Sequence, residues 1–256
     1  MRKFAIFSII FMGILIAIIL NTITTKEVRR ENNTMNDNYI IGNLGGIPVS
    51  IPKNLIRLVE YDGDPDWGET RQGDEPVRTY QSKINSFGFD LRYTDGVFSS
   101  QSNEYDQQKN LPNSPWVSVG INSSNRYYGA SGIDRLAKAT INPSDEVAPN
   151  HKYEKLPELQ YGLEIYASPG IDPKTNKPWR ENLYAKDVFI KRNDKGEIVT
   201  YIKCSNRDVP HPPCTHYFDL EPNMKLDVYV SYSRHVLADW QKIEEIVKST
   251  IVGFKK

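Results

Sequence analysis

Apolar and polar residues alternate along Lys83–Tyr93, with Phe87, Phe89, Leu91 and Tyr93 on one side and Gly88, Asp90 and Arg92 on the other. Alternation with period two marks a strand of a half-solvated antiparallel sheet. Leu55–Tyr61 carries apolar residues on both faces, which predicts an interior strand, and Asp62-Gly63-Asp64-Pro65 predicts the turn that ends it. Ile47, Val49 and Ile51 also alternate, but Pro48 and Pro52 withhold backbone donors, so that stretch belongs at a sheet edge or in an extended crossing. Trp116–Ile121 returns to the strand pattern, and Ile133, Leu136, Ala137 and Ile141 recur at the spacing of one short helix. Asn142–Pro157, rich in Pro and Asn, reads as a connector.

The later half is patterned more strongly. Strands are predicted over 161–167, 185–192, 197–205, 214–220 and 226–233, with Asn193-Asp194-Lys195-Gly196 closing a hairpin between the second and third. Leu237, Trp240, Ile243, Val247 and Ile251 then repeat every three or four residues, with Ile246, Thr250 and Phe254 widening the stripe. This predicts an amphipathic C-terminal helix packed on the preceding meander. The expected fold is α+β, mainly antiparallel sheet in two lobes, 39–145 and 146–256.

The N-terminus adds a further expectation. Phe4–Leu20 is uncharged and would form about 25 Å of helix, near the lower limit for crossing a bilayer. No small-residue cleavage pattern follows, so residues 1–23 read as a transmembrane anchor, a cleaved signal sequence being the alternative. Residues 24–38 are polar and read as a flexible linker. With Arg2 and Lys3 ahead of the span, the expected placement is single-pass in the inner membrane, the main domain in the periplasm.

Charge narrows the partners. Lys plus Arg and Asp plus Glu each number 32, so nothing resembles the basic excess that neutralises a nucleic-acid backbone. No nucleic-acid partner is expected.

Both cysteines, Cys204 and Cys214, lie in CSNRDVPHPPCTHYFDL. In a domain outside the cytoplasm they read as a disulfide clamping a Pro-rich loop, a constraint of about 3 kcal/mol in the loop-entropy picture. The rival is zinc held by Cys204, His211, Cys214 and His216. The cysteine spacing is wider than the tight chelating pair of structural zinc sites.

Catalytic motifs are not visible. The chain has no G-x-S-x-G, H-E-x-x-H or G-x-x-x-x-G-K-[ST], and its histidines are His151, His211, His216 and His235. No enzyme activity and no small-molecule cofactor are expected. Asp62, Asp64 and Asp66 suggest calcium, but the sixth and twelfth positions of an EF-hand loop would be Trp67 and Gly73, not Gly and Glu. An acidic turn beside Trp67 suits a basic protein partner instead, and Tyr127 and Tyr128 in loop-like sequence suit a binding face. For the acidic turn a purely structural role is the favoured reading, and for the tyrosines burial is an equal alternative.

GNLGGIPVSIPKNLIRLVEYDGDPDW, RTYQSKINSFGFDLRY and CTHYFDLEPNMKLDVYVSYSRHVLADWQKIEEIVKSTIVGF together resemble envelope-located immunity proteins of type VI secretion effector–immunity pairs. They also resemble the C-terminal region of immunity proteins that guard against secreted lipases. The resemblance implies a membrane-tethered periplasmic protein that binds and inhibits a cognate toxin, and it carries over no catalytic residue. Two other functions remain open from the sequence: a cell-envelope structural or assembly protein, and an envelope-acting hydrolase using His211 or His216.

Overall fold

A computed structural model describes residues 38–66, 68–143 and 152–256. Thirteen strands run in chain order: β1 (Tyr39–Leu44), β2 (Ile47–Pro52), β3 (Arg57–Tyr61), β4 (Ile84–Arg92), β5 (Trp116–Ser123), β6 (Glu154–Gln160), β7 (Leu163–Ala167), β8 (Ile171–Asp172), β9 (Lys177–Pro178), β10 (Lys186–Arg192), β11 (Ile198–Ser205), β12 (Pro213–Asp219) and β13 (Leu226–Ser233). The helices are α1 (Tyr105–Gln108), α2 (Gly132–Ile141) and α3 (Trp240–Val252). The fold is mixed α+β with antiparallel sheets and a C-terminal helix.

Nine strands form one sheet in the order β3-β4-β5-β13-β12-β11-β10-β7-β6, and β1-β2 and β8-β9 are small separate sheets. The meander β10 to β13 is sequential because short turns join its strands. Gly196 at φ 80° and the Gly196 N–H to Asn193 carbonyl bond close the β10–β11 turn. The stretches 39–145 and 146–256 meet along β5 and β13, where Ile121 faces Val228 and Val119 faces Val230.

Register separates the two faces of the sheet. Phe189, Ile202, His216, Val230, Val119 and Phe89 form one cross-strand row, and α3 packs on that face. Trp240, Ile243, Val247 and Ile251 are buried along α3, and the Phe254 ring lies 6.3 Å from Phe87 and 6.1 Å from Phe89. Each such side chain contributes roughly 1.5–3 kcal/mol by leaving water.

One polar group crosses this apolar layer. His216 Nε2 lies 3.0 Å from Glu244 Oε2, and its Nδ1 is 3.3 Å from the Tyr232 hydroxyl. Lys248 Nζ donates to Glu244 Oε1 at 2.6 Å. Burial works against the charged Glu244 carboxyl, but His216 and Lys248 outweigh it and hold the group down to about 2. The network pins α3 to β12.

On the opposite face the row is Ile190, Tyr201, Tyr217, Tyr229, Gly120 and Gly88. Helix α2 covers its β10–β11 end, packing Ile133 and Ala137 against Val188, Ile190, Ile198 and Tyr201. Asp134 Oδ1 accepts the Ile198 N–H at 3.0 Å, and the Tyr201 hydroxyl donates to Thr140 Oγ1 at 2.8 Å.

Three expectations are corrected here. β3 is an edge strand, not an interior one: Leu58 sits at φ 54° with 78% of its surface exposed, and the β3–β4 register shifts at that point. The connector ending at Pro157 contains the start of β6, the other edge. Among the described residues no helix is long and apolar enough to cross a membrane. The longest, α3, has 13 residues and carries Lys242, Glu244, Glu245 and Lys248. The anchor over 1–23 and nearly all of the 24–38 linker lie outside the described residues. Among the described residues the single-pass inner-membrane placement, and the membrane as a partner, therefore have no helix behind them and are withdrawn.

Candidate functional site

The acidic turn follows β3. Asp64 accepts the Tyr61 amide at 2.7 Å and pairs with both Arg71 and Arg78. Burial would raise its carboxyl, but these donors hold it below the usual carboxylate range. Asp62 lies 4.0 Å from Lys83, and Asp66 is exposed with its amide near Glu69. Trp67 lies outside the described residues. The turn therefore ties Asp64 down and leaves Asp62 and Asp66 at the surface.

Tyr127 and Tyr128 lie on the loop before α2. The Tyr127 hydroxyl donates to Glu221 Oε1 at 2.6 Å; burial first, then that carboxylate, pushes the phenol well above its ordinary value. The Tyr128 amide donates to Asp227 Oδ2 at 2.6 Å, while its ring is 49% exposed. Asp62 and Tyr127 share a depression of about 590 Å³, whereas Asp64 does not line it.

Cys204 and Cys214 face each other across β11 and β12 and are joined as a disulfide, so neither sulfur is a thiolate ligand for zinc. Among the described residues no group of three or more His, Cys, Asp and Glu is arranged to hold a metal ion. His216 has no exposed surface and both its ring nitrogens have partners, so it meets no substrate. His211 is half-buried, His235 is exposed, and His151 lies outside the described residues.

Two further concave surfaces lie elsewhere on the described residues. The first is a groove of about 690 Å³ over the β3–β5 end of the α2 face. Its floor is small because the Tyr229 ring occupies the space a Gly120 side chain would need. Its rim charges are matched within the protein: Arg57 pairs with Asp90 and donates to Ser118 Oγ at 2.9 Å, and Arg126 lies 2.7 Å from Glu60.

The second, of about 830 Å³, lies beside residues 168–185, which link β7 to β10. Asp187, only 1% exposed by its side chain, is gripped by Arg180 at 2.9 Å and Arg234 at 2.6 Å. Asn206 Nδ2 adds a bond of 3.1 Å to the same carboxylate. Burial opposes the charge on Asp187, but these donors hold its carboxyl below the usual range. Around this pin Ile171, Trp179, Leu183 and Tyr184 are exposed by 59%, 40%, 56% and 76%. None of them stands in a periodic pattern, so sequence reasoning passed over them. The available signal was a long link holding Trp, Leu and Tyr among cations.

No family model and no curated protein matches the chain. A solved structure does: Smlt3025, an immunity protein of the Stenotrophomonas maltophilia type IV secretion system, at TM-score 0.55 and 20% identity. The match covers 86% of this chain and 94% of that one. At that identity the likeness is one of fold. The secretion system named for that protein is type IV, whereas the resemblance read from the sequence is to immunity proteins of type VI systems.

Proposed function

We propose that the chain is an immunity-type protein that binds a protein toxin and blocks it stoichiometrically, by covering the toxin's active cleft or its route to substrate. The observation that carries this reading is the fold likeness to an immunity protein over nearly the full length of both chains. It is supported by a rigid sheet with concave, partly apolar surfaces, since stable inhibition needs an interface near about 1,600 Å² with a buried anchor cluster.

The test is co-expression. Cells producing the effector encoded beside this chain's gene should survive when the chain is present, and the two proteins should co-elute at a fixed ratio. Cell death despite full expression of the folded chain, with no complex on a sizing column, would sink the reading.

A further inference from the structure

Strands β7 and β10 are antiparallel neighbours, and a hairpin loop of about two to five residues would join such a pair. The chain uses 168–185 instead, a link long enough to suggest a functional loop. It is not loose. The Asp172 carboxylate accepts the Lys174 amide at 2.9 Å, the Trp179 amide bonds the Gly170 carbonyl at 3.1 Å, and Arg207 Nε donates to the Leu183 carbonyl at 3.0 Å. Arg180 is fixed on Asp187 by two bonds of 2.9 Å.

A link ordered this well would ordinarily bury its large apolar side chains. Here Ile171, Trp179, Leu183 and Tyr184 face solvent, and the Arg207 guanidinium stands 5.6 Å from the Tyr184 ring. Trp, Tyr and Arg on a preorganised surface are the residues that dominate binding energy in protein interfaces. The charge around them leans positive. Lys174, Lys177, Lys186 and Arg207 are exposed against Glu181, Asp208 and Glu158, the last acting on Arg180, while Arg180 and Arg234 share the single carboxylate of Asp187. The β3–β5 groove lacks this excess, because Arg57 and Arg126 each have an acidic partner.

We propose that residues 168–185, with Arg207, form the anchoring surface for the toxin, which meets it with an acidic face carrying an apolar patch over Trp179 and Tyr184. This rests on the toxin-binding reading and names where and by what chemistry the toxin is held. Opposite charges steer the encounter, and the apolar contact sets the dissociation rate.

The experiment is calorimetric titration of the full chain with the effector encoded beside its gene, at low and high salt. Tyr184→Ala and Trp179→Ala should each weaken binding by about tenfold or more. Arg207→Glu should weaken it further, mostly at low salt, and Tyr229→Ala in the groove should leave the dissociation constant within about twofold. Tyr184 is the most exposed of the group, so its variant should keep the wild-type melting temperature and serves even if Trp179→Ala misfolds. Unchanged affinity in the 168–185 variants with loss in Tyr229→Ala would overturn the anchoring surface and leave toxin binding standing. An effector that does not bind the wild-type chain at all would remove the reading and this proposal with it. Sedimentation showing a wild-type dimer that Tyr184→Ala dissolves would give the surface to a second copy of the chain, and likewise overturn it.

Discussion

Asp187 and Asp227 are buried aspartates of the same sheet, exposed by 1% and 3%, yet their surroundings push them in opposite directions. Asp187 is met by two guanidinium groups and an amide, so its charge is favoured in the folded state. Asp227 receives the Tyr128 amide on one oxygen, and its Oδ1 finds no hydrogen-bond partner among the described residues. Asp219 lies directly across from it in β12, and Glu221 is near. Burial, against which the Tyr128 amide works, and then those neighbouring carboxylates push Asp227 up from 3.8 to about 6, with Arg135 only partly offsetting them. The same residue type thus clamps one end of the sheet and strains the other. What differs is whether the chain brings cations or carboxylates alongside.

Removing the clamp should have the largest effect. Asp187→Ala leaves Arg180, Arg234 and Asn206 without their shared acceptor and should cost about 3 kcal/mol, at the lower end for a broken buried pair because both guanidinium groups reach solvent. Urea unfolding at neutral pH measures it; a loss below about 1 kcal/mol would show that the pair is solvated in practice. Since Asp187 is held below its ordinary range, its stabilisation is present above that range and disappears as pH falls through its lowered value.

The disulfide sits beside that clamp, with Asp187 facing Cys204 across β10 and β11. Replacing both cysteines with serine should lower stability by about 2–3 kcal/mol, and melting with and without reductant should give the same ordering.

At the strained end the sign reverses. Asp227→Asn keeps an acceptor for the Tyr128 amide and removes the charge, and should stabilise the protein by about 2 kcal/mol above pH 7. With a folded pKa near 6 against 3.8, the wild-type penalty is complete above about 6 and vanishes as pH falls toward about 4. The two proteins' melting temperatures should therefore converge over that window, and a constant gap from pH 8 to 4 would contradict the assignment. Asp219→Asn removes the neighbour's repulsion together with Asp219's own burial penalty, against the loss of its attraction to Lys248, and should give a smaller gain of about 1 kcal/mol at pH 7.

β4, β12 and the stripe of α3 were legible because each buries one face, and β10 and β11 as short apolar runs because both of their faces are covered. β6 was not, because almost none of it is buried: Glu154, Lys155, Pro157, Glu158 and Leu159 are exposed, and the strand is held to β7 through its backbone. β3 misled for the opposite reason, since Leu58 is apolar and points to water. Of the surface residues singled out in the sequence, Asp62, Asp66 and Tyr128 remain at the surface. Asp64 is taken up by Arg71 and Arg78, seven and fourteen positions away, and no local pattern marks that pairing.

By itself the sequence determined the elements with a patterned buried surface, β4, β5, β10 to β13, α2 and α3, because side-chain periodicity is a property of neighbours along the chain. It also placed Cys204 and Cys214 at the two ends of one Pro-rich loop. Only the tertiary structure decided which charges meet. Asp187 finds Arg234 and Asp227 finds Asp219 through strand register, and register joins residues by their position in the sheet, whatever separates them in sequence.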